Sequence, residues 1–250
     1  MQTTTRMLMI VLLTSLGLAS DARAQGGERA SFRRWSVTLY GGWTEGRSPK
    51  SVEEAMLDAG LNEVSPARCF WGLCAPSQRH PRSIGRTASR ALAVSYALKR
   101  GLRVRALWAT AEFGETVGWR DDGSEWGADL ALHQEATTVA ALVALSVEGA
   151  ARVAVGPSLN FVELGDAGTA RSTATKPGLV CEAALSLPAR SRFFVEAAVQ
   201  YRYVVPAELG PFYARSGAWP GEPEGEGATF PTSRIEFSQA VLNLGMGVRF

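Results

Sequence analysis

The 250 residues are 46% hydrophobic and 20% charged, with 26 basic against 24 acidic side chains, so the formal charge is only +2. That balance supplies no electrostatic footprint for nucleic acid, and three cysteines are too few for a disulfide scaffold. Past residue 24 no uninterrupted apolar run reaches the roughly 18 residues of a spanning helix, so any passage through a membrane must be made by strands.

The first residues set the compartment. Arg6 supplies a positive start, residues 7–18 form an apolar run, and Ala22, Arg23 and Ala24 make a small-x-small cleavage site. Residues 1–24 therefore read as a signal peptide, and 25–250 as one domain beginning at Gln25. A retained transmembrane anchor needs about 20 apolar residues, more than this run offers.

Eight segments of period-two alternation follow, and their length is what separates a membrane barrel from a soluble sheet. Apolar residues on one parity are Trp35 to Trp43, Leu92 to Leu98, Leu102 to Trp108, Val139 to Val147, Val153 to Phe161, Leu179 to Leu187, Phe193 to Tyr203 and Ala240 to Phe250. Most runs hold their alternation for about 10 residues, the span of a tilted transmembrane strand, whereas soluble strands average about 5 to 6. Charged residues fall almost entirely on the opposite parity, as expected where lipid lies outside and side chains fill the interior. Trp35, Trp43, Tyr96, Trp108, Tyr201 and Tyr203 lie near run ends and suit interfacial girdles.

The connections alternate in length. Those after the second, fourth and sixth runs are tight turns at Gly101, Gly149 and Pro188; the others occupy about 44–86, 114–134, 165–176 and 206–234. Short turns on one side and long loops on the other are the outer-membrane pattern. In the first loop Ser51, with Glu54 three residues on and Gly60 at the end, predicts a short capped helix. Cys69 and Cys74 in the same loop are expected to form a disulfide after export; His80 alone does not complete a metal site. The last loop, rich in Gly, Pro and Glu around 219–227, reads as mobile.

The C-terminal run, with Leu244, Met246, Val248 and Phe250 alternating toward a final aromatic, resembles the terminal strand of bacterial outer-membrane proteins. Residues 155–161 and 193–201 also resemble middle strands of the OmpA-like and OmpX-like eight-stranded barrel family. The resemblance implies an all-β, antiparallel up-and-down transmembrane barrel in the outer membrane. It also implies that the row ending in Phe250 is the signal read by the barrel-assembly machinery. The function expected is a non-enzymatic envelope structural or surface-interaction role, as a monomer in outer-membrane lipid, with long loops available to an extracellular ligand and no nucleic-acid partner. An outer-leaflet enzyme of lipid A deacylase or protease type and a narrow small-solute channel are the alternatives. For an enzyme, His133 with Glu135 or Asp129 is the candidate base and orienting acid, although no serine stands out as nucleophile. The adjacent Asp121 and Asp122 read as a turn, because neighbours in extended chain point apart. No phosphate loop, haem or zinc spacing is present, so no cofactor and no metal are expected.

The inward parity gathers charge in a lumen that eight strands leave just wide enough for side chains. Arg152, Glu182, Glu196, Arg202 and Arg249 are expected to form a paired network there, since unpaired buried charge is costly. Protein purified from the outer-membrane fraction is expected to begin at Gln25 and to migrate anomalously on gels unless boiled. Terminal mass analysis showing residues 1–24 retained, or recovery as a soluble periplasmic monomer, would contradict this reading.

Overall fold

The computed structural model describes residues 34–61, 64–70, 73–78, 80–84, 87–99, 101–120, 128–147, 150–166, 171–189, 191–214 and 228–250. The expected signal segment 1–24, Asp121, Asp122 and residues 219–227 lie outside them. In chain order the elements are β1 (Trp35–Gly46), α1 (Ser48–Asp58), β2 (Val64–Phe70), β3 (Leu73–Gln78), β4 (Arg82–Ile84), β5 (Ala88–Lys99), β6 (Leu102–Arg120), β7 (Ala128–Val147), β8 (Ala151–Asp166), β9 (Arg171–Leu187), β10 (Phe193–Val204), β11 (Ala207–Leu209), β12 (Phe212–Ala214), β13 (Ala228–Phe230), β14 (Ser233–Ile235) and β15 (Gln239–Arg249).

The long strands lie in the order β6, β5, β1, β15, β10, β9, β8, β7, and β7 pairs back onto β6, closing a ring of eight. Each strand runs antiparallel beside its neighbours, and the first and last long strands meet from Ser36 opposite Arg249 to Gly46 opposite Gln239. Strand β4 continues the line of β5 along β6, with Arg82 opposite Val117. The eight expected strands are all present.

Their surface is apolar where a soluble protein's would be polar. Met246 is 74% exposed, Leu39 64% and Leu145 61%, and such residues recur around the ring on one parity. A continuous exposed belt of this kind is tolerated in lipid and not in water. Trp35 and Tyr96, cross-strand partners with ring centroids 4.7 Å apart, mark its edge at the turn end. Trp43, Trp108 and Tyr203 stand toward the loop end.

Above that edge the polarity inverts. Outward positions become Glu112, Glu115, Glu135, Glu163 and Thr173, while inward Phe113, Leu132, Val162 and Leu164 are buried. The expected second and third loops, 114–134 and 165–176, are consequently mostly strand: β6 and β7 continue to Arg120 and from Ala128, and β8 and β9 to Asp166 and from Arg171. The alternation is there in the sequence, but with its sign reversed where the hairpins leave the lipid.

The first and last loops fold inward over the mouth. Val52, Met56 and Leu61 pack in one core with Phe113, Leu132, Leu164, Leu209, Phe230, Ile235 and Phe237. Helix α1 starts three residues before the expected cap: Pro49 occupies the first turn, Arg47 makes no side-chain cap, and the Ser51 hydroxyl donates to the Ser48 carbonyl at 3.0 Å. Proline's fixed φ favours that first-turn position. The helix ends as expected at Gly60 (φ +75°), where Gly60 N–H reaches the Leu57 carbonyl and Leu61 N–H the Met56 carbonyl, each at 2.9 Å. The described ends of the last loop are strand-paired, β11 with β14 and β12 with β13. Its Ala207, Leu209, Phe230 and Ile235 supply buried anchors.

Phe237 meets Phe113 edge-on at 5.9 Å between ring centroids. Phe237→Ala is expected to cost about 3 to 5 kcal/mol in urea unfolding from detergent, as core aromatic truncations do, whereas Val195→Leu on the lipid face should be nearly silent. Equal effects would show that the mouth is not packed.

Candidate functional site: a charge cluster across the lumen

The ring directs every second residue inward, and in the half nearer the turns two arginines and two glutamates stand among inward alanines and hydroxyls. Arg152 on β8 binds two acids at once: its Nη2 lies 2.7 Å from Glu182 Oε1 and 2.7 Å from Glu196 Oε1, with Nε on Glu182 at 3.1 Å and Nη1 on Glu196 Oε2 at 3.0 Å. Arg105 on β6 adds Nη2 contacts of 3.4 Å to Glu182 and 3.7 Å to Glu196. The remaining acceptor capacity goes to neutral donors. Gln200 Nε2 donates to Glu182 Oε2 at 2.7 Å, and the Ser186 and Tyr40 hydroxyls donate to Glu196. Each carboxylate oxygen thus accepts at least two donors, the condition under which a buried ion pair offsets its desolvation.

All four charged side chains are at most 7% exposed. They come from β6, β8, β9 and β10, while Tyr40 reaches in from β1 and Ser95 on β5 accepts from Arg105 at 3.2 Å. The cluster therefore ties strands on opposite sides of the ring. Backbone clearance assists it: Gly245 on β15 faces Tyr40, and a Cβ there would lie 2.5 Å from the tyrosine ring.

Of the five residues expected in the network, the structure brings Arg152, Glu182 and Glu196 into direct contact. Arg202 joins at one remove, since its Nε and Nη2 reach Gln200 Oε1 at 3.1 and 2.7 Å. Arg249 does not join. As the last inward residue of β15 it sits at the turn end, donates to the carbonyls of Pro188, Ala189 and Ser191 at 3.2, 2.8 and 3.1 Å, and lies 4.1 Å from the Phe194 ring centroid. The acids are two inward positions higher, with Glu196 opposite Gly245. Arg105 and Tyr40 take parts that sequence reading did not give them. Their inward parity was visible, but their reach to β9 and β10 depends on how the ring closes.

The other candidates are dispersed. Leu244, Met246 and Phe250 project from the lipid face of β15, with Val248 half-buried between them. Strands β2 and β3 place Cys69 directly opposite Cys74; the side chains of 62–79 lie outside the described residues. His133 is on the outward parity of β7, with Glu115 and Gly165 as cross-strand neighbours, while Glu135 has Glu112 and Glu163. The side chain of Asp129 is likewise outside the described residues, and His80 is exposed.

A closed eight-stranded ring, an apolar exterior and a buried ionic interior define an up-and-down transmembrane β-barrel of the outer-membrane type. No family model matches the sequence, nor does any curated protein. Among solved structures the chain is similar to a major outer membrane protein from Thermus thermophilus (12% identity, TM-score 0.49, covering 88% of this chain and 100% of that one). It is also similar to the outer membrane protein OprG from Pseudomonas aeruginosa (13%, 0.45, 87% and 97%) and to Ail, the attachment invasion locus protein of Yersinia pestis (11%, 0.41, 87% and 99%). At such identities the likeness is one of fold alone.

Removing one acid leaves a buried cation uncompensated, so Glu196→Ala is expected to cost about 3 to 5 kcal/mol. A double-mutant cycle with Arg152→Ala, read by urea unfolding in detergent, should show the two losses to be strongly non-additive. Additive losses would mean that the pair does not hold the strands together.

Proposed function

We propose that this chain is a non-enzymatic outer-membrane barrel with an envelope structural or surface-interaction role, acting as a monomer and delivered through the signal peptide and the barrel-assembly machinery. The observation that carries this reading is a lumen closed at two levels. A neutral quartet of Arg105, Arg152, Glu182 and Glu196 crosses it near the turns, and the apolar core of α1 and the last loop fills the mouth. Ions meet a side-chain barrier at each level, so what the molecule offers its surroundings is its exterior.

That exterior includes a rigid polar wall, the parts of β6 to β9 that stand clear of the lipid belt. The hairpin of β2 and β3 belongs to the same side. Directly opposed residues of antiparallel strands have Cα atoms about 4.5 to 5.5 Å apart, within the range a disulfide spans. The Cys69 and Cys74 register therefore supports a bridge that fixes this hairpin. Against catalysis stands the placement of His133, whose cross-strand neighbours are an acid and a glycine rather than a nucleophile.

Folded protein in a planar bilayer is expected to show no sustained conductance, and incubation with outer-membrane lipid or peptides should release neither fatty acid nor fragments. Steady single-channel steps would favour the channel instead. Turnover abolished by His133→Ala would establish an enzyme.

A further inference from the structure

Between the charge cluster and the apolar mouth, Arg202 is a fully buried cation that forms no ion pair with an acid among the described residues. With the cluster below it, Arg105, Arg152 and Arg202 stand against Glu182 and Glu196, all five buried, which leaves one positive charge in excess among them. Arg202 on β10 has no solvent exposure; its Nε and Nη2 both use the Gln200 carbonyl oxygen, and its Nη1 makes no hydrogen bond.

The neighbouring strands bring further unused donors to the same side of the barrel. Gln239 on β15 is the register partner of Arg202; its Oε1 accepts from the Thr44 hydroxyl at 2.7 Å, which leaves Nε2 unpartnered. Two inward positions further along β15, both amide atoms of Asn243 are unpartnered. Beside Asn243 on β1 is Gly42, where a Cβ would come within 2.5 Å of Asn243 Oδ1, and beyond it on β5 is Ser89, whose hydroxyl is also unpartnered. Gln239, Asn243 and Ser89 are each at most 2% exposed.

Orphaned buried donors are costly, and an unpaired buried cation more so. Water would satisfy the donors but leave the charge; an anion answers both. We propose that Arg202 Nη1, with the amide donors of Gln239 and Asn243 and the Ser89 hydroxyl, holds a small desolvated inorganic anion of halide size inside the barrel. This site is independent of the surface role proposed above, because the buried charge of Arg202 needs an answer whatever the exterior does.

Crystals of the folded protein grown in sodium bromide should show an anomalous bromine peak beside Arg202 Nη1. In detergent, the unfolding equilibrium constant should fall about tenfold for each tenfold rise in bromide past saturation, as linkage to one bound ion requires, with gluconate at equal ionic strength without effect. Asn243→Asp supplies a negative charge from the protein itself, so it should fold, lose the bromine peak and lose the halide dependence. Arg202→Met should lose both as well. A non-anomalous water in that position, or identical unfolding in bromide and gluconate, would overturn the proposal.

Discussion

Inside hydrocarbon a peptide group has no solvent to fall back on, so each N–H and C=O must be satisfied within the chain. Among the described residues no helix is long and apolar enough to cross a membrane, and a sheet meets the requirement only when it has no edge. The meeting of β1 with β15 and of β6 with β7 is therefore a condition for the molecule to exist in lipid at all. Closing eight strands then fixes a narrow interior. From that width follows the rest: inward side chains touch one another across the lumen, and each polar group there must find its partner on another strand.

The barrel solves that packing problem in two ways along its axis. Where lipid surrounds it, the outside supplies apolar surface and the inside can be ionic, provided that Arg152 and Arg105 saturate Glu182 and Glu196. Where the strands rise into water the outside must be polar, and the inside becomes an ordinary hydrophobic core. Residues Phe113, Leu132, Val162 and Leu164 are its strand-borne half, and α1 with the last loop is the other. One continuous sheet thus carries two folding environments with opposite polarity.

Much of this was legible in the residues. Alternation located all eight strands and assigned the two faces, because parity is a local property that a one-residue slip would reverse. What local pattern does not contain is height. Arg249 and Glu196 share the inward parity, yet they are two inward positions apart across the β10–β15 register, and the arginine donates to carbonyls of the turn rather than to Glu196. Arg105 enters the cluster because β6 stands across from β9 and β10 once the ring is shut. Strands beyond the lipid edge read as loops because the membrane pattern puts apolar residues outward, whereas at that level they face inward.

The glycines of β15 carry one more consequence. Gly245 leaves room for the ring of Tyr40 from β1, and Gly247 for the ring of Phe194 from β10, whose atoms would lie 2.2 Å from a Cβ at that position. The smallest slip that preserves inside and outside is two residues. Sliding β1 one way sets Tyr40 against Asn243, which has a side chain in the way; sliding it the other way sets it against Gly247, a notch that Phe194 already fills. The seam where the ends of the chain meet therefore works as a vernier, accepting one alignment and rejecting its nearest counterfeits by shape before any charge is paired.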